Sequence, residues 1–233
     1  MAEPWLEHPR AFVETAAGIL DGMQVERAQL TGFLSSDHDR FFNQLFARGN
    51  VAPRDAADAL DGRRGFVWLT DRQLSATVMH GMTAATTASD VARSLDAEIA
   101  AVRSRDDLDA WHEVYCEVFG GDPRGRDEWR RIHQALGPAG GRSLLLLVAR
   151  VDGVPAATGG VYFACGWAGL YWFTTRELMR GRGLASALVA AAHEAARERG
   201  IERALLHATP MGRPVYARAG YREVRSLPLL VAG

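Results

Sequence analysis

Glycine and arginine alternate in the segment Arg180-Gly181-Arg182-Gly183, directly before a run of alanine and leucine that is typical of a helix. Glycine weakens a helix and clustered arginines repel one another, so stability does not explain the segment. The first N–H groups of a helix have no intrahelical partners, and missing side chains let a bulky anion approach them. The helix dipole and the guanidinium groups add attraction for phosphate. The segment therefore predicts a loop that binds a diphosphate.

Other interpretations of this loop fit the sequence less well. A dinucleotide-binding Gly-x-Gly-x-x-Gly loop would have glycine at position 186, where the chain has Ser186, and it would lie in a parallel βαβ unit. A nucleoside-triphosphate P-loop ends in lysine, and the sequence contains no lysine. A surface turn that happens to be rich in glycine and arginine remains the alternative without a function.

Apolar spacing predicts the elements that position the loop. The loop follows a strand that ends near Thr175, and it precedes a helix whose predicted buried stripe is Leu184, Leu188, Ala191 and Ala195. Upstream, the sequence predicts a strand over 97–104, a helix over 106–120 capped by Asp106 or Asp107, and a helix over 126–136. Three strands follow over 143–175 as an antiparallel meander, with a tight turn at Asp152-Gly153. A strand over 201–209, a short helix over 210–220 and a strand over 221–231 complete this half.

The first half of the chain predicts shorter alternating elements, with a helix over 5–20 and another over 52–60. The small, polar segment 83–94 is interpreted as a linker. A weak internal echo relates 65–82 to 204–221, because both run from an apolar strand through a turn and a helix to glycine and a large apolar residue. The echo favours an N-terminal domain over 1–90 that is a degenerate copy of a C-terminal domain over 95–233.

The segment RGRGLA, residues 180–185, resembles the Arg/Gln-x-x-Gly-x-Gly/Ala signature of the GCN5-related N-acetyltransferase (GNAT) superfamily. The downstream run HATPMGRPVYARAGY, residues 207–221, is similar to a second pattern of that family at the family's spacing. The resemblance covers about 98–233 well and the N-terminal half weakly. It implies an α/β fold with a mixed, mostly antiparallel sheet flanked by helices. It also implies an enzyme that uses acetyl-CoA as cosubstrate to acetylate the amino group of a small molecule or peptide, by direct attack of the amine.

The resemblance also implies roles for particular residues. The diphosphate of acetyl-CoA would be held by the loop and the first turn of its helix, and the pantetheine arm by the main chain of the preceding strand. Tyr216 matches the tyrosine that protonates the departing thiolate in many members, although it could equally pack the helix on the sheet. The family often has Val in place of Thr175 and Pro in place of Glu177, which are mild departures because backbone makes the contact. The expected cofactor-binding residues are Phe173, Thr174, Thr175, Arg180, Gly181, Arg182, Gly183, Leu184, Ala185 and Ser186.

The general base is not evident from the sequence. Members of the family often place a glutamate on the strand before the loop, and that strand has no carboxylate in this chain. The candidates are His207, Glu113, Glu117 and Glu177, each of which also has an ordinary structural interpretation. The missing carboxylate keeps a second hypothesis open, in which the chain is a regulatory module that binds acyl-CoA without catalysis.

Composition bounds the remaining possibilities. A net charge of -1 predicts neither nucleic-acid nor membrane binding, so the expected partner is an amine substrate, and the oligomeric state is left open. Cys116 and Cys165 lack metal-ligand spacing, so no metal site is expected. The N-terminus lacks the pattern of a signal peptide and no apolar run approaches a membrane span, so the expected location is the cytoplasm.

Overall fold

The computed structural model describes residues 4–69, 77–86, 97–138 and 140–232 of the chain. In the N-terminal part the elements are α1 (Pro4–Leu20), β1 (Met23–Glu26), β2 (Leu30–Leu34), β3 (Asn43–Ala47), α2 (Pro53–Asp58), β4 (Gly65–Trp68) and β5 (Thr77–Ala85). The C-terminal part contains β6 (Ala97–Ala101), α3 (Arg105–Phe119), α4 (Arg126–Leu136), β7 (Leu144–Val151), β8 (Val154–Ala164), β9 (Trp167–Thr175), α5 (Leu184–Arg197), β10 (Arg203–Ala208), α6 (Arg213–Arg218) and β11 (Arg222–Ala232).

The strands of the described residues form one sheet in the order β1-β2-β3-β4-β11-β5-β10-β9-β8-β7-β6. Only the neighbours β3/β4 and β9/β10 are parallel, and the other pairs are antiparallel. The predicted meander is present as β7, β8 and β9, and Asp152 and Gly153 adopt φ values of 50° and 77° in the turn between β7 and β8. The predicted mixed, mostly antiparallel sheet is therefore confirmed.

The last strand of each half pairs with the other half. β5 lies between β10 and β11, and β11 lies between β5 and β4. The two parallel pairs occupy corresponding places, since α2 follows β3 before β4 and α5 follows β9 before β10. This arrangement suits two related halves, but residues 77–80, which the internal echo places in the helix before Gly81, lie in strand β5. The interpretation of the N-terminal half as a degenerate copy stays a prediction.

The sheet is covered on both faces. On the first face, α1, α3 and α4 bury an aromatic cluster that includes Phe12, Trp111, Trp129 and Trp172. On the second face, α5 packs on β8 and β9 through small apolar side chains. The buried stripe of α5 runs through Ala192 rather than the predicted Ala191, which is only partly buried.

Two predicted boundaries are corrected by the structure. Helix α3 is capped by Ser104 rather than by Asp106 or Asp107, because the Ser104 hydroxyl accepts the Asp107 N–H and the Asp107 carboxylate bonds back to Ser104. The predicted linker starts too early, because residues 83–85 belong to β5, where all three pair with β10 and Thr83 also pairs with β11. The rest of that segment, 87–94, lies outside the described residues.

Candidate functional site

The parallel strands β9 and β10 separate towards their C-terminal ends. They pair only where Ala168–Leu170 faces Ala204–Leu206. Beyond that point β9 continues to Thr175 on the edge of β8, and β10 continues to Ala208 on the edge of β5. The main chain of 171–175 therefore has no sheet partner on the side of β10, and an extended ligand could bond to it there.

A bulge in β9 lies at this gap. Two residues, Trp172 and Phe173, stand opposite the single residue Gly159, and Trp172 has a left-handed φ of 57°. A bulge bends a strand and changes where its side chains point. Side chains at Gly159 and Gly160 would lie 2.9 Å from the Phe173 ring and 2.5 Å from the Trp172 ring, so both glycines are required for this packing.

The predicted phosphate loop lies between the end of β9 and α5. Gly181 and Gly183 have φ values of 79° and 76°, in the region that favours glycine, and a Cβ on either would meet nothing within 4 Å. The first helical bond runs from the Ala187 N–H to the Gly183 carbonyl at 3.0 Å. The amides of Leu184, Ala185 and Ser186 consequently have no acceptor within the helix.

Both loop arginines are available to a ligand. Arg180 and Arg182 are exposed, and no carboxylate of the described ranges forms an ion pair with either. Two exposed arginines, the unbonded amides and the positive end of a helix dipole thus belong to one short loop with open surroundings at its glycines, which suits a diphosphate.

Tyr216 lies beside the gap. It belongs to α6, and its ring centroid is 6.5 Å from that of Phe173 and 5.9 Å from that of Tyr221. Its hydroxyl has no hydrogen-bond partner in the part of the chain that the structure describes. Burial raises the pKa of the phenol, so the group keeps its proton at neutral pH.

His207, one candidate base, packs against the N-terminal half of the protein. Its ring is buried against α1, where its Nε2–H donates to the Trp5 carbonyl at 2.7 Å, and its centroid is 4.7 Å from that of Trp68. Desolvation by burial lowers the pKa of His207 to about 4. With one nitrogen committed to a carbonyl and little basicity, His207 is poorly suited to take a proton from an ammonium group.

The candidate glutamates of α3 contact an arginine instead. Arg176, the residue after β9, lies 2.6 Å from the Glu113 carboxylate and 2.9 Å from that of Glu117. It also donates to the Pro155 carbonyl at 2.9 Å. The glutamates therefore anchor the end of β9, whereas Glu177 is exposed in the short turn before the loop.

Sequence reasoning missed the contribution of Arg176 and of the glycine pair in β8. Adjacent glycines inside a strand are a signal for a bulge or a close approach, and Gly159-Gly160 carried that signal. Nothing comparable marked Arg176, because its partners come from α3 and β8, which are distant in sequence.

The part of the chain that the structure describes has no helix that combines the length and apolarity needed to cross a membrane. Within those same ranges, no group of three or more His, Cys, Asp or Glu side chains is placed to hold a metal ion.

A mixed sheet in which the parallel pair β9/β10 separates beside a glycine loop is an α/β arrangement shared with solved acetyltransferase structures. Residues 107–221 match the family model described as "Acetyltransferase (GNAT) family". This domain therefore belongs to the GCN5-related N-acetyltransferase superfamily, as the sequence predicted. A comparison with curated proteins gives no match.

Solved structures share the fold over almost the whole chain. A GCN5-related N-acetyltransferase from Kribbella flavida is 18% identical with a TM-score of 0.65, and the match covers 95% of this chain and 96% of that one. A putative acetyltransferase of the GNAT family from Novosphingobium aromaticivorans is 19% identical with a TM-score of 0.58, covering 94% and 95%. A tandem GNAT protein from the clavulanic acid biosynthesis pathway is 11% identical with a TM-score of 0.59, covering 87% and 78%. At these identities the comparison concerns the fold alone.

Proposed function

We propose that the protein is an acetyl-CoA-dependent N-acetyltransferase, in which the amine of an acceptor attacks the thioester directly. The observation that carries the proposal is the open space between Gly181, Gly183 and the unbonded amides of α5, at the end of a strand that has parted from its neighbour. If the diphosphate of acetyl-CoA binds in that space, the pantetheine arm attached to it would run along residues 173–175.

Each part of the site has a task in this reaction. Arg180, Arg182 and the amides of 181–186 bind the diphosphate, and the free main chain of Phe173, Thr174 and Thr175 bonds the amides of the pantetheine arm. Acetyl-CoA supplies the activated acyl group. A neutral amine forms the new C–N bond as the C–S bond breaks, and the Tyr216 hydroxyl gives its proton to the departing sulfur. The proton that the nitrogen then loses restores the phenol.

The experiment that tests the proposal compares substitutions of two glycines that flank helix α5, one at each end. Gly183→Asp places a negative charge where the diphosphate would bind, so we expect CoA affinity in calorimetry to fall at least about 10-fold. Gly200→Asp is the matched control, because Gly200 has a similar φ of 68° and open surroundings but lies beyond the other end of α5. Equal CoA affinity in the two variants would contradict the proposal.

One observation favours a second candidate, a regulatory module that binds acyl-CoA without turning it over. β9 carries no carboxylate, and His207, Glu113 and Glu117 are committed to other contacts. Release of CoA thiol from acetyl-CoA across a panel of amines separates the two candidates. A regulatory module would bind CoA in calorimetry and release no thiol with any amine.

The location and the domain division belong to the same proposal. Cys116 and Cys165 are free thiols, which supports a reducing compartment such as the cytoplasm. We also propose that residues 1–90 and 95–233 are two domains, that the first is a degenerate copy of the second, and that the single acetyl-CoA site lies in the second. Support for a single site comes from the loop between β3 and α2, residues 48–52, which contains one glycine and so has no pair like Gly181 and Gly183.

A further inference from the structure

The exchange of strands brings a histidine from the N-terminal half to the gap. His80 of β5 stands directly opposite Ala208, the last residue of β10, and opposite Ser226 of β11. Residues directly opposite in a sheet project from the same face. Ala208 faces the core on the second face, where Tyr216 packs. The His80 side chain therefore projects from the same face as Tyr216, at the end of the strand that borders the gap.

A hydrogen-bonded cluster fixes the orientation of His80. Its Nδ1 is 2.9 Å from one oxygen of Glu223, which also accepts the Ser226 hydroxyl at 3.1 Å. The other oxygen of Glu223 pairs with the Arg213 guanidinium at 2.8 Å. Hydrogen bonding to His80, followed by the other contacts, lowers the pKa of Glu223, so the carboxylate is ionised and can only accept. Nδ1 must then carry the hydrogen, and Nε2 carries the free lone pair.

The His80 side chain is partly exposed, and the cluster that holds it includes a residue of the same helix as Tyr216. The His80 side chain keeps 18% of its surface exposed, and among the described residues Nε2 has no partner. Arg213 and Tyr216 are three residues apart on α6, so their side chains are neighbours on the helix surface, with Cβ atoms roughly 5 to 6 Å apart. The cluster that holds His80 thus adjoins the residue expected to protonate the sulfur.

Most other histidines lack this combination of orientation and access. Burial lowers the pKa of five of them, namely His8, His112, His133, His193 and His207. His38 faces the carboxylate of Asp122 at 3.8 Å, in the loop before β3 that packs near α4. It resembles His80 in having a carboxylate neighbour, but its neighbours Asp122 and Gly125 lie between α3 and α4.

We propose that His80 is the general base of the transfer, with Glu223 and Arg213 as positioning residues; this inference rests on the proposed acetyltransferase function. An alkylammonium acceptor gives one proton to Nε2 of His80, which passes it to solvent. The neutral nitrogen then attacks the thioester carbon, and the C–S electron pair leaves with the sulfur. The second proton of the nitrogen replaces the one that Tyr216 has given to the thiolate. The products are the amide, CoA thiol and one released proton.

The test measures turnover against pH with an alkylamine acceptor that the parent protein acetylates. We expect His80→Gln to lower kcat about 10²-fold near neutral pH while CoA affinity in calorimetry is unchanged. The remaining activity should rise with pH, because the acceptor must then lose its proton without help. In His80→Ala, added imidazole should restore part of the lost turnover, which a purely structural role of His80 would not allow.

Glu223→Gln tests the positioning role. The charged groups that face His80 are Glu223 from β11 and, through that carboxylate, Arg213 from α6, while β10 contributes the uncharged Ala208. Without the negative charge the imidazolium is less stable, so the acidic limb of the pH profile should move to lower pH. His38→Gln is the matched control and should keep the parent profile.

The outcomes separate this inference from the function on which it rests. Parent-like kcat and pH profile in His80→Gln would overturn the role of His80 and leave the acetyltransferase standing. Absence of thiol release by the parent protein with every amine, despite CoA binding, would overturn both and favour the regulatory module. If His80→Gln does not fold, imidazole rescue of His80→Ala and the shift in Glu223→Gln decide the question, and failure of both overturns the role.

Discussion

At the scale of residues, Tyr216 differs from the other four tyrosines in what its hydroxyl contacts. Tyr221 bonds to His193 at 2.8 Å and Tyr171 to His8 at 2.8 Å. Tyr115 bonds to Asp39, and Tyr162 lies 3.2 Å from the Thr15 hydroxyl. The Tyr216 phenol is half-buried against the bulge of β9, and its hydroxyl has no partner among the described residues. It can therefore bond to a ligand, whereas the other four hydroxyls already have partners within the protein.

Replacement of Tyr216 by Phe tests this difference. Because the proton for the thiolate would have to come from water, we expect kcat to fall by about 10²-fold with little change in CoA affinity. Tyr221→Phe is the control, since it removes a hydroxyl whose ring lies 5.9 Å away and should cost about 1 kcal/mol of stability without a comparable loss of turnover. Steady-state kinetics and calorimetry measure both, and parent turnover in Tyr216→Phe would reduce Tyr216 to packing.

The phosphate loop could be predicted from local sequence, whereas the environment of the base candidates could not. Gly181 and Gly183 express a local backbone requirement, and the structure gives both a positive φ. The burial of His207 depends on α1, which is about two hundred positions away in sequence. Nothing local to His80 indicates a role in the site, because His80 comes near α6 only when β5 pairs with β10 and β11.

At the scale of elements, helix α3 depends on its first turn. The Asp107 carboxylate accepts from the backbone and hydroxyl of Ser104 and from Arg150, the last at 2.8 Å. Burial raises the pKa of Asp107, but these hydrogen bonds outweigh that and lower it to about 2, compared with 3.8 for the free group. A carboxyl with a lowered pKa in the folded state stabilises the fold above its unfolded pKa, and this contribution is lost as pH falls through the folded value.

Asp107→Asn should therefore change stability in a pH-dependent way. At neutral pH we expect a loss of about 1 kcal/mol in the free energy of unfolding, and the difference from the parent should shrink between about pH 4 and pH 2. Asp106→Asn is the control, because its exposed side chain lies in the same turn without those bonds. Urea unfolding at several pH values measures the differences, and a constant loss across that range would contradict the capping argument.

The apolar spacing predicts the positions of most helices and strands correctly, but it is misleading for one segment. The segment 83–85 is Thr-Ala-Ala, and one threonine beside two alanines gives only a weak strand signal. These residues are extended because all three pair with β10 and Thr83 also pairs with β11, and tertiary pairing of this kind overrides weak local preference. The cap of α3 was misassigned for a related reason, since Asp107 bonds to the cap residue without being it.

At the scale of the whole molecule, the two halves share buried polar contacts as well as strands. The buried Asp39 carboxylate, in the N-terminal half, accepts the Tyr115 hydroxyl of α3 at 2.8 Å and the Trp129 indole N–H of α4 at 2.7 Å. Desolvation by burial raises the pKa of Asp39. Separation of the halves would leave these groups, and the aromatic cluster around them, in water.

Deletion of residues 1–90 tests whether the second half can stand alone. The deletion removes β5, which is the partner of β10 over Arg203–Ala208 and of β11 over Arg222–Leu229, and it removes α1 from the aromatic face of β8 and β9. Unpaired strand edges and exposed aromatic side chains favour aggregation. We expect the fragment 91–233 to be insoluble or to release no thiol from acetyl-CoA, as judged by gel filtration and the amine panel. Coexpression of 1–90 as a separate chain should restore soluble material, because the missing strand can then pair in trans. A soluble and fully active 91–233 fragment would show instead that the first half adds nothing that the site requires, including His80.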